Sequence, residues 1–462
     1  MQTLTPQKQF TLFSDRELVR LIIPIIVEQL LFITVGMADT MMISSQGDAS
    51  VSGVSLVDMV NIFIGNIYFS LATGGTVVAS QFLGARKAAD ARESAKQLLM
   101  VAATIALVLC LICELTNRHL LRLIFGVLPE QVMSEAAAYF RITSLTYPVI
   151  AVYASCTSLL RAQKCSQWAM YSSLVTNVLN VVGNYLFIFV LHKGVTGAAA
   201  ATLIARVISM LLVLCILTDR SRTIYLNLRE GFHPDWSIIR RILFIGVPNG
   251  IEGGLFQLGR LLVVGLIASY GTVQIAANAV ANSLSGFSIL CGSGFCVAII
   301  TVIGQAVGAG DEEQCRYYIR KMMRWAYLTM AVNCLVLLAL MPLILRCYGE
   351  VSQEALTLGS HLATLHLAFG IVFWPLSFAF PNVLRAANDV KFTMTVAIVS
   401  MFLMRVGMGY LLAAWWHHGA YAAWVAMLFD WVGRCSCFAW RYFSGTWKKH
   451  AHFRETKAAS MP

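Results

Sequence analysis

Residues 22–30 read IIPIIVEQL, and residues 245–255 read IGVPNGIEGGL. Pro24 and Pro248 stand 224 positions apart, and so do Glu28 and Glu252. The same shift carries SQFLGA at 80–85 onto GQAVGA at 304–309, Arg122 onto Arg346, and Arg161 onto Arg385. HKG at 192–194 meets HHG at 417–419 one position later, at 225. A constant offset held over about 170 residues marks an internal duplication.

Composition says what is duplicated. The chain of 462 residues is 58% hydrophobic and 12% charged, with a mean hydropathy of +0.71. Soluble domains carry about 25% charged residues. A spanning helix needs about 20 mostly apolar residues. Twelve stretches qualify: 18–44, 54–79, 95–115, 137–160, 168–191, 197–217, 242–268, 276–307, 323–345, 361–384, 393–416 and 420–443. The polar N-terminus shows no cleavable leader pattern, so the first apolar stretch is read as a helix.

These stretches predict an all-α integral membrane protein of twelve transmembrane helices. An N-terminal six-helix bundle spans 1–217, and a polar, basic linker spans 218–241. A second six-helix bundle spans 242–443, and a tail spans 444–462. Six is even, so both bundles enter the membrane the same way and are related by a pseudo-two-fold along its normal. Transporters built from such repeats bind substrate between the halves.

The net charge is +11. Most Lys and Arg fall in one alternating set of segments: Lys8 to Arg20, Arg86 to Lys96, Arg161 and Lys164, and Arg220 to Arg241. Arg316 to Arg324, Arg385 with Lys391, and Arg441 to Lys457 complete the set. The other set holds few, among them Arg118, Arg122, Lys193 and Arg346. Positive loops face the cytoplasm. The protein is therefore placed in the cell membrane, multi-pass, with both termini cytoplasmic. Basic residues scattered over many loops do not make a nucleic-acid surface. Cys110 with Cys113 and Cys435 with Cys437 lie in helix-like runs and read as small buried hydrophobes.

The motifs PIIVEQ with GMADTMMIS (36–44), SQFLGA, LLRAQK (159–164), NVLNVVGNYLFIF (177–189) and GVTGAAAATL (194–203) resemble the multidrug and toxin extrusion (MATE) transporters. GQAVGAGDEEQ (304–314) and VLRAAND (383–389) echo them in the second half. The resemblance covers nearly the whole chain. It implies two six-helix bundles that rock about a central cavity. It also implies export of drugs or toxic organic compounds, often cations, against entry of H⁺ or Na⁺. No cofactor beyond that ion is expected. The partners are small molecules and the bilayer, and the chain is expected to act as a monomer.

Five carboxylates fall within spans: Glu28, Asp39, Asp58, Glu252 and Asp430. Ionisable groups in a membrane face the bundle interior or a water-filled cavity. Glu28 and Asp39 are eleven residues apart, hence on one helix face about 16 Å apart along the axis. Asn177, Asn180 and Asn184 form one stripe at i, i+3 and i+7. They suit an acid or a cation; the other reading is that they satisfy backbone groups between helices. In the family, a helix 1 Asp joins an Asn and a second acid on helix 5 and a Thr on helix 6. Asp39, Asn180 and Thr202 match that pattern, and Asn184 replaces the second acid. The resemblance thus points to Asp39 as a titrating group rather than to a tightly held Na⁺.

The second half lacks this set. Asp39 is matched by Val263, Phe256 stands where some branches carry Glu, and FGIVFWPLSFAF (369–380) has no acid. That pattern resembles the DinF-like branch. Because Glu28 and Glu252 are duplicated and Asp39 is not, the glutamates read as structural. Asp430 and Arg434 read as an i, i+4 ion pair. Arg206, Arg260 and Arg405 have no assignable partner. Tyr68, Asn177, Phe256, Gln257 and Trp374 are the expected cavity lining.

A flippase for lipid-linked sugars is the alternative, and it calls for a larger cationic cavity. No H-E-x-x-H or G-x-S-x-G supports an enzyme. A reporter fused after Pro462 or placed within 218–241 is expected to report cytoplasm, and one beside Lys193 the outside. A C-terminus on the outside breaks the twelve-helix count.

Overall fold

The computed structural model describes residues 12–227, 231, 233–346, 348, 351–417, 419–451 and 453. Lys8, Arg229, Arg454, Lys457, His418 and most of the 444–462 tail lie outside them. The described residues are helical throughout their ordered elements and contain no strand. In the first half, α1 is Asp15–Ser44, α2 Asp48–Gly84, α3 Ala88–Phe125, α4 Glu130–Ser144, α5 Thr146–Ala162, α6 Ser166–Asn184 and α7 Gly194–Leu217. In the second, α8 is Trp236–Ala268, α9 Thr272–Ser288, α10 Leu290–Ala309, α11 Glu312–Leu345 and α12 Gln353–Trp374. The chain ends with α13 Pro381–Ala386, α14 Val390–Val399, α15 Met408–Trp416, α16 Gly419–Phe443 and α17 Lys448–Ala451. Wider π-turns follow α6 at Tyr185–Val190, α12 at Pro375–Ala379 and α14 at Ser400–Gly407.

Among the described residues, ten helical spans are long and apolar enough to cross a membrane, and α4 with α5, bent by 44°, makes an eleventh if the pair is one span. Two expected spans differ from their reading. The stretch 276–307 is broken at Ile289 into α9 and α10. The expected twelfth, α16, is less apolar because it carries Asp430, Arg434 and Arg441. Several helices run one or two turns past their apolar stretch, where polar caps take over. Ser14 and Glu17 form a capping box at α1, and Asp311 caps α11. Asp235 accepts from the Ser237 and Ile238 amides, so α8 starts at Trp236 and the expected linker 218–241 ends there. Arg240 and Arg241 are therefore helical.

The linker is also not a loose tether. Ile224 and Leu226 are buried in the N-terminal half. The Ile224 amide donates to Gln163, Arg92 donates to the Tyr225 hydroxyl at 3.0 Å, and Gln97 donates to the His233 carbonyl at 2.7 Å.

The duplication is visible in the backbone. Left-handed residues recur at matched turns: Gly47 (φ 93°) with Gly271 (100°), Lys164 (66°) with Asn388 (66°), and His192 (50°) with His417 (54°). Long side chains avoid this region, so the non-glycine positions mark turns imposed by tight helix reversal.

Packing at the basic face exchanges the halves. Leu18, Leu21, Ile22 and Ile25 of α1 sit in the core of the second half, against α10 and α11. Their counterparts Ile242 and Ile245 of α8 sit in the core of the first. Between them α2 crosses α10 at backbone contact. A Cβ on Gly84 would lie 1.9 Å from the Gln305 carbonyl, and one on Gly308 would lie 1.9 Å from the Gln81 carbonyl. Gln81 donates to the Ala386 carbonyl at 3.0 Å, and Gln305 to the Ala162 carbonyl at 2.7 Å. Each amide thus satisfies a helix C-terminal carbonyl of the opposite half. Tyr318 adds a tie, its hydroxyl within 2.8 Å of both the amide and the carbonyl of Phe13. At the opposite face a Cβ on Gly36 of α1 or Gly265 of α8 meets nothing within 4 Å.

Gly84→Ala and Gly308→Ala should each destabilise this closed arrangement by about 1–3 kcal/mol, as overpacking does. Thermal unfolding in detergent checks this, and wild-type melting temperatures for both variants would contradict the crossing.

Candidate functional site

In the first half, close helix approach brings three polar elements together. A Cβ on Gly183 of α6 would lie 3.0 Å from the Ala201 Cβ of α7. That contact sets Asn180 Nδ2 at 3.0 Å from Thr202 Oγ1. One turn on, fully buried Asn184 donates to Asp39 Oδ1 at 2.6 Å and to Asn180 Oδ1 at 3.3 Å. Thr202, Asn180, Asn184 and Asp39 therefore form one hydrogen-bonded chain across α7, α6 and α1. The Asn184 carbonyl oxygen is buried without a partner among the described residues. Asn177 is set apart: it donates to the Leu31 carbonyl of α1 at 2.9 Å and ties α6 to α1.

Sequence reasoning did not place Asp58, Tyr139 and Arg206 here. Asp58 of α2 lies 3.4 Å from the Tyr139 hydroxyl and from Asn61 Nδ2. Arg206 of α7 donates to Thr146 at 3.0 Å and lies within electrostatic reach of both Asp39 and Asp58. Arg206 is thus a positive charge that both acids feel. The available signal was the arginine itself, one turn after Thr202, which required a buried acid.

Glu28 and Glu252 are engaged elsewhere. Glu28 takes a 2.6 Å bond from Arg161 Nη2, and Glu252 takes a 2.6 Å bond from Arg385 Nη2. The partners are repeat mates too. Each pair ties the helix that carries the repeated proline to the end of the fourth span of its own half. Asp430 is fully buried, with Arg434 Nε at 2.7 Å and Ser400 Oγ at 2.6 Å.

A cavity of about 290 Å³ lies between the halves. Asn66, Phe69 and Thr73 of α2 face Phe256 of α8, Phe378 and Arg434 across it. Glu252 and Arg385 reach its wall. Asp39 does not line it, so the hydrogen-bonded chain and the cavity are separate in this conformation. Two expected lining residues lie in the cores instead. Tyr68 is 1% exposed and packs 6.2 Å from the Tyr147 ring. Trp374 covers Gly292 and stacks on Phe378 at 5.3 Å. Trp374 fits there because Gly292 leaves room for its ring. Gln257 is not among the residues that line this cavity, and its contact is with Arg260 at 3.5 Å.

The MatE family model matches residues 24–186 and again residues 248–411, the same offset as the repeated motifs. The chain belongs to the MatE family of transporters; it is a multi-pass membrane transporter, not an enzyme. It is 27% identical over 434 residues to the transporter YisQ of Bacillus subtilis, covering 92% of each chain. It is 25% identical over 445 residues to the probable multidrug resistance protein NorM of Thermotoga maritima, covering 94% of each. An outward-facing structure of a multidrug resistance MATE family transporter superposes with a TM-score of 0.85 at 21% identity, covering 94% of this chain and 96% of that one.

Glu28→Gln leaves Arg161 without its carboxylate, and Glu252→Gln does the same to Arg385. Each change should cost about 3 kcal/mol, the usual price of breaking a buried pair. The two pairs lie in different halves, so the losses should add in the double variant. Chemical or thermal unfolding of the three variants reads this directly; an unchanged stability for either single variant would mean that its pair holds nothing.

Proposed function

We propose that this transporter exports drugs or toxic organic compounds in exchange for protons, with Asp39 as the coupling group. The observation that carries the reading is the chain from Asp39 through Asn184 and Asn180 to Thr202. An ionised Asp39 accepts from the Asn184 amide. A protonated Asp39 must donate one hydrogen bond, and the Asn184 amide must turn its oxygen to receive it. The two protonation states therefore favour different arrangements of α1 against α6. Because α1 also packs into the second half at the basic face, a shift of α1 is felt at the crossing of α2 and α10. Protonation then biases the choice between two arrangements of the halves, which rock about that face.

Two points favour a proton over a sodium ion. The second acid of the resembled site is Asn184 here, and the fixed charge of Arg206 stands close by. Both weaken the pull on a bare cation. On this reading the crossing of α2 and α10 is the side that closes toward the cytoplasm. Separation of Asp39 from the cavity makes the competition between proton and cargo indirect. A lipid-linked-sugar flippase is not favoured, because a pyrophosphate needs free cationic groups, and the two arginines that line the central cavity, Arg385 and Arg434, are both paired with acids.

Asp39→Asn keeps the size and removes the titration. In proteoliposomes it should fold, bind substrate and fail to accumulate a fluorescent dye against an imposed pH gradient, at a rate at least about tenfold below wild type. Wild-type protein should work without Na⁺ and stop when the gradient is dissipated. Wild-type rates and pH dependence in the variant would remove Asp39 from the mechanism.

A further inference from the structure

Asp58 and Arg206 stand beside the coupling group but outside the hydrogen-bonded chain that the export reading uses. Neighbouring helices bring them to it. Ile43, one turn on from Asp39 in α1, shares a buried cluster with Val54 and Val57 of α2, Tyr139 of α4 and Ala198 and Ala199 of α7. Asp58 follows Val57 directly, and Arg206 follows Thr202, the end of the chain, by one turn. Neutral partners hold both. Asp58 Oδ1 lies 3.4 Å from Asn61 Nδ2 and from the Tyr139 hydroxyl. Asn61 is oriented from its other end, where Oδ1 accepts from the Tyr147 hydroxyl at 2.9 Å. Arg206 Nη1 donates to Thr146 Oγ1 at 3.0 Å, and the Thr146 hydroxyl itself donates to the Thr143 carbonyl at 2.6 Å.

Among the described residues no carboxylate closes on the Arg206 guanidinium as Glu28 closes on Arg161. Arg206 acts instead as a charge felt by two acids, Asp39 and Asp58. The other groups that act on it are the Tyr139 and Tyr147 phenols. Cys110 and Cys113 of α3, in the same buried cluster, are free thiols. Glu114 of α3 is engaged by Ser144 and Arg141. Phenols and thiols are neutral near pH 7. The charge of the set is therefore that of two carboxylates and one guanidinium.

That count fixes how many protons the set can exchange. With both acids ionised it carries one net negative charge. One proton brings it to zero, and a second would leave the guanidinium uncompensated. Net charge inside a bilayer is costly, so the singly protonated form is the neutral resting state. Interacting carboxylates titrate as a pair, and a proton bound there belongs to neither residue alone. Asp58 and Arg206 also cancel one another in the count. Without Asp58, Arg206 would neutralise Asp39 and leave it no proton to exchange. Without both, Asp39 would stand as a lone acid.

We propose that Asp58 and Arg206 are positioning residues that make Asp39 and Asp58 hold one exchangeable proton between them. The proposal rests on the export reading and deepens it. The resembled site draws its groups from helices 1, 5 and 6 and has neither an acid on helix 2 nor an arginine in its set, so this balance belongs to the residues of this chain.

The test counts protons directly. Infrared spectra of the full chain in proteoliposomes, at the pH at which it exports dye, read protonated carboxyls through their C=O stretching band. Asp39→Asn and Asp58→Asn should each remove one such group, and Asp39→Asn/Asp58→Asn should remove no more than either alone. Acids that titrate independently would add in the double variant. Additive losses, or a full wild-type band in Asp58→Asn, overturn the shared proton. Transport gives the second readout. Asp58→Asn should cut dye accumulation driven by a pH gradient at least about tenfold, because an unopposed guanidinium weakens a carboxyl's hold on its proton by that much or more. Asp58→Glu, which keeps the charge, should retain accumulation. Adding Arg206→Gln to Asp58→Asn should restore most of it, whereas a purely structural Asp58 predicts a further loss. A double variant that folds, by gel filtration and melting temperature, and still does not export overturns the positioning role. Where it does not fold, the infrared comparison decides. Failure of the export reading would show as absent efflux by the wild type with the shared band intact; separate bands in protein that exports sink this proposal alone.

Discussion

The closed face depends on two helices meeting without side chains between them. Gly84 of α2 lies against the Gln305 backbone of α10, and Gly308 of α10 against the Gln81 backbone of α2. Only hydrogen atoms fit in that space. Once the backbones touch, Gln81 and Gln305 can reach past each other to the Ala386 and Ala162 carbonyls. Each of those bonds contributes on the order of 1 kcal/mol. Such a contact is geometrically strict and energetically modest. That combination suits the proposed mechanism, in which the two halves separate and rejoin. The exchange of α1 and α8 follows from the same crossing, since both helices flank it and bury their apolar first turns in the opposite half.

Charge inside the membrane sorts the remaining residues into two kinds. Glu28 with Arg161, Glu252 with Arg385 and Asp430 with Arg434 are close pairs, at 2.6 to 2.7 Å. They hold helices together within a half. Asp39, Asp58 and Arg206 form an uneven set, two carboxylates against one guanidinium. An uneven set in a low dielectric changes state when a proton or ligand arrives, whereas a closed pair does not. The proposed coupling group therefore lies apart from the pairs that tie helices together within each half.

Much of this arrangement could be read before any coordinates. The offset of 224 named the matched residues, and the structure makes the same Glu–Arg pair and the same Gln bridge at that offset, and the same left-handed turns at 224 or 225. The stripe of Asn180 and Asn184 was legible from helical periodicity. Tyr68 and Trp374 were misplaced because an aromatic residue in an apolar helix has no periodic signature that separates a core from a cavity. Asp58 and Arg206 were visible as buried charges but could not be joined, since α2 and α7 are distant in sequence.

By itself the sequence determined the membrane class, most of the apolar spans, the duplication and which charged residues fall within spans. Those follow from local quantities: hydropathy along one helix, charge between helices, and a repeat offset. Tertiary structure alone decided which buried charges meet. It also decided that α1 and α8 exchange partners, and that Asp39 lies apart from the cavity. These depend on the rotation of each helix about its own axis and on the face it turns to its neighbours. Nothing in one helix states that rotation. It is set where Gly84 and Gly308 let two backbones touch, and the other helices settle around that contact.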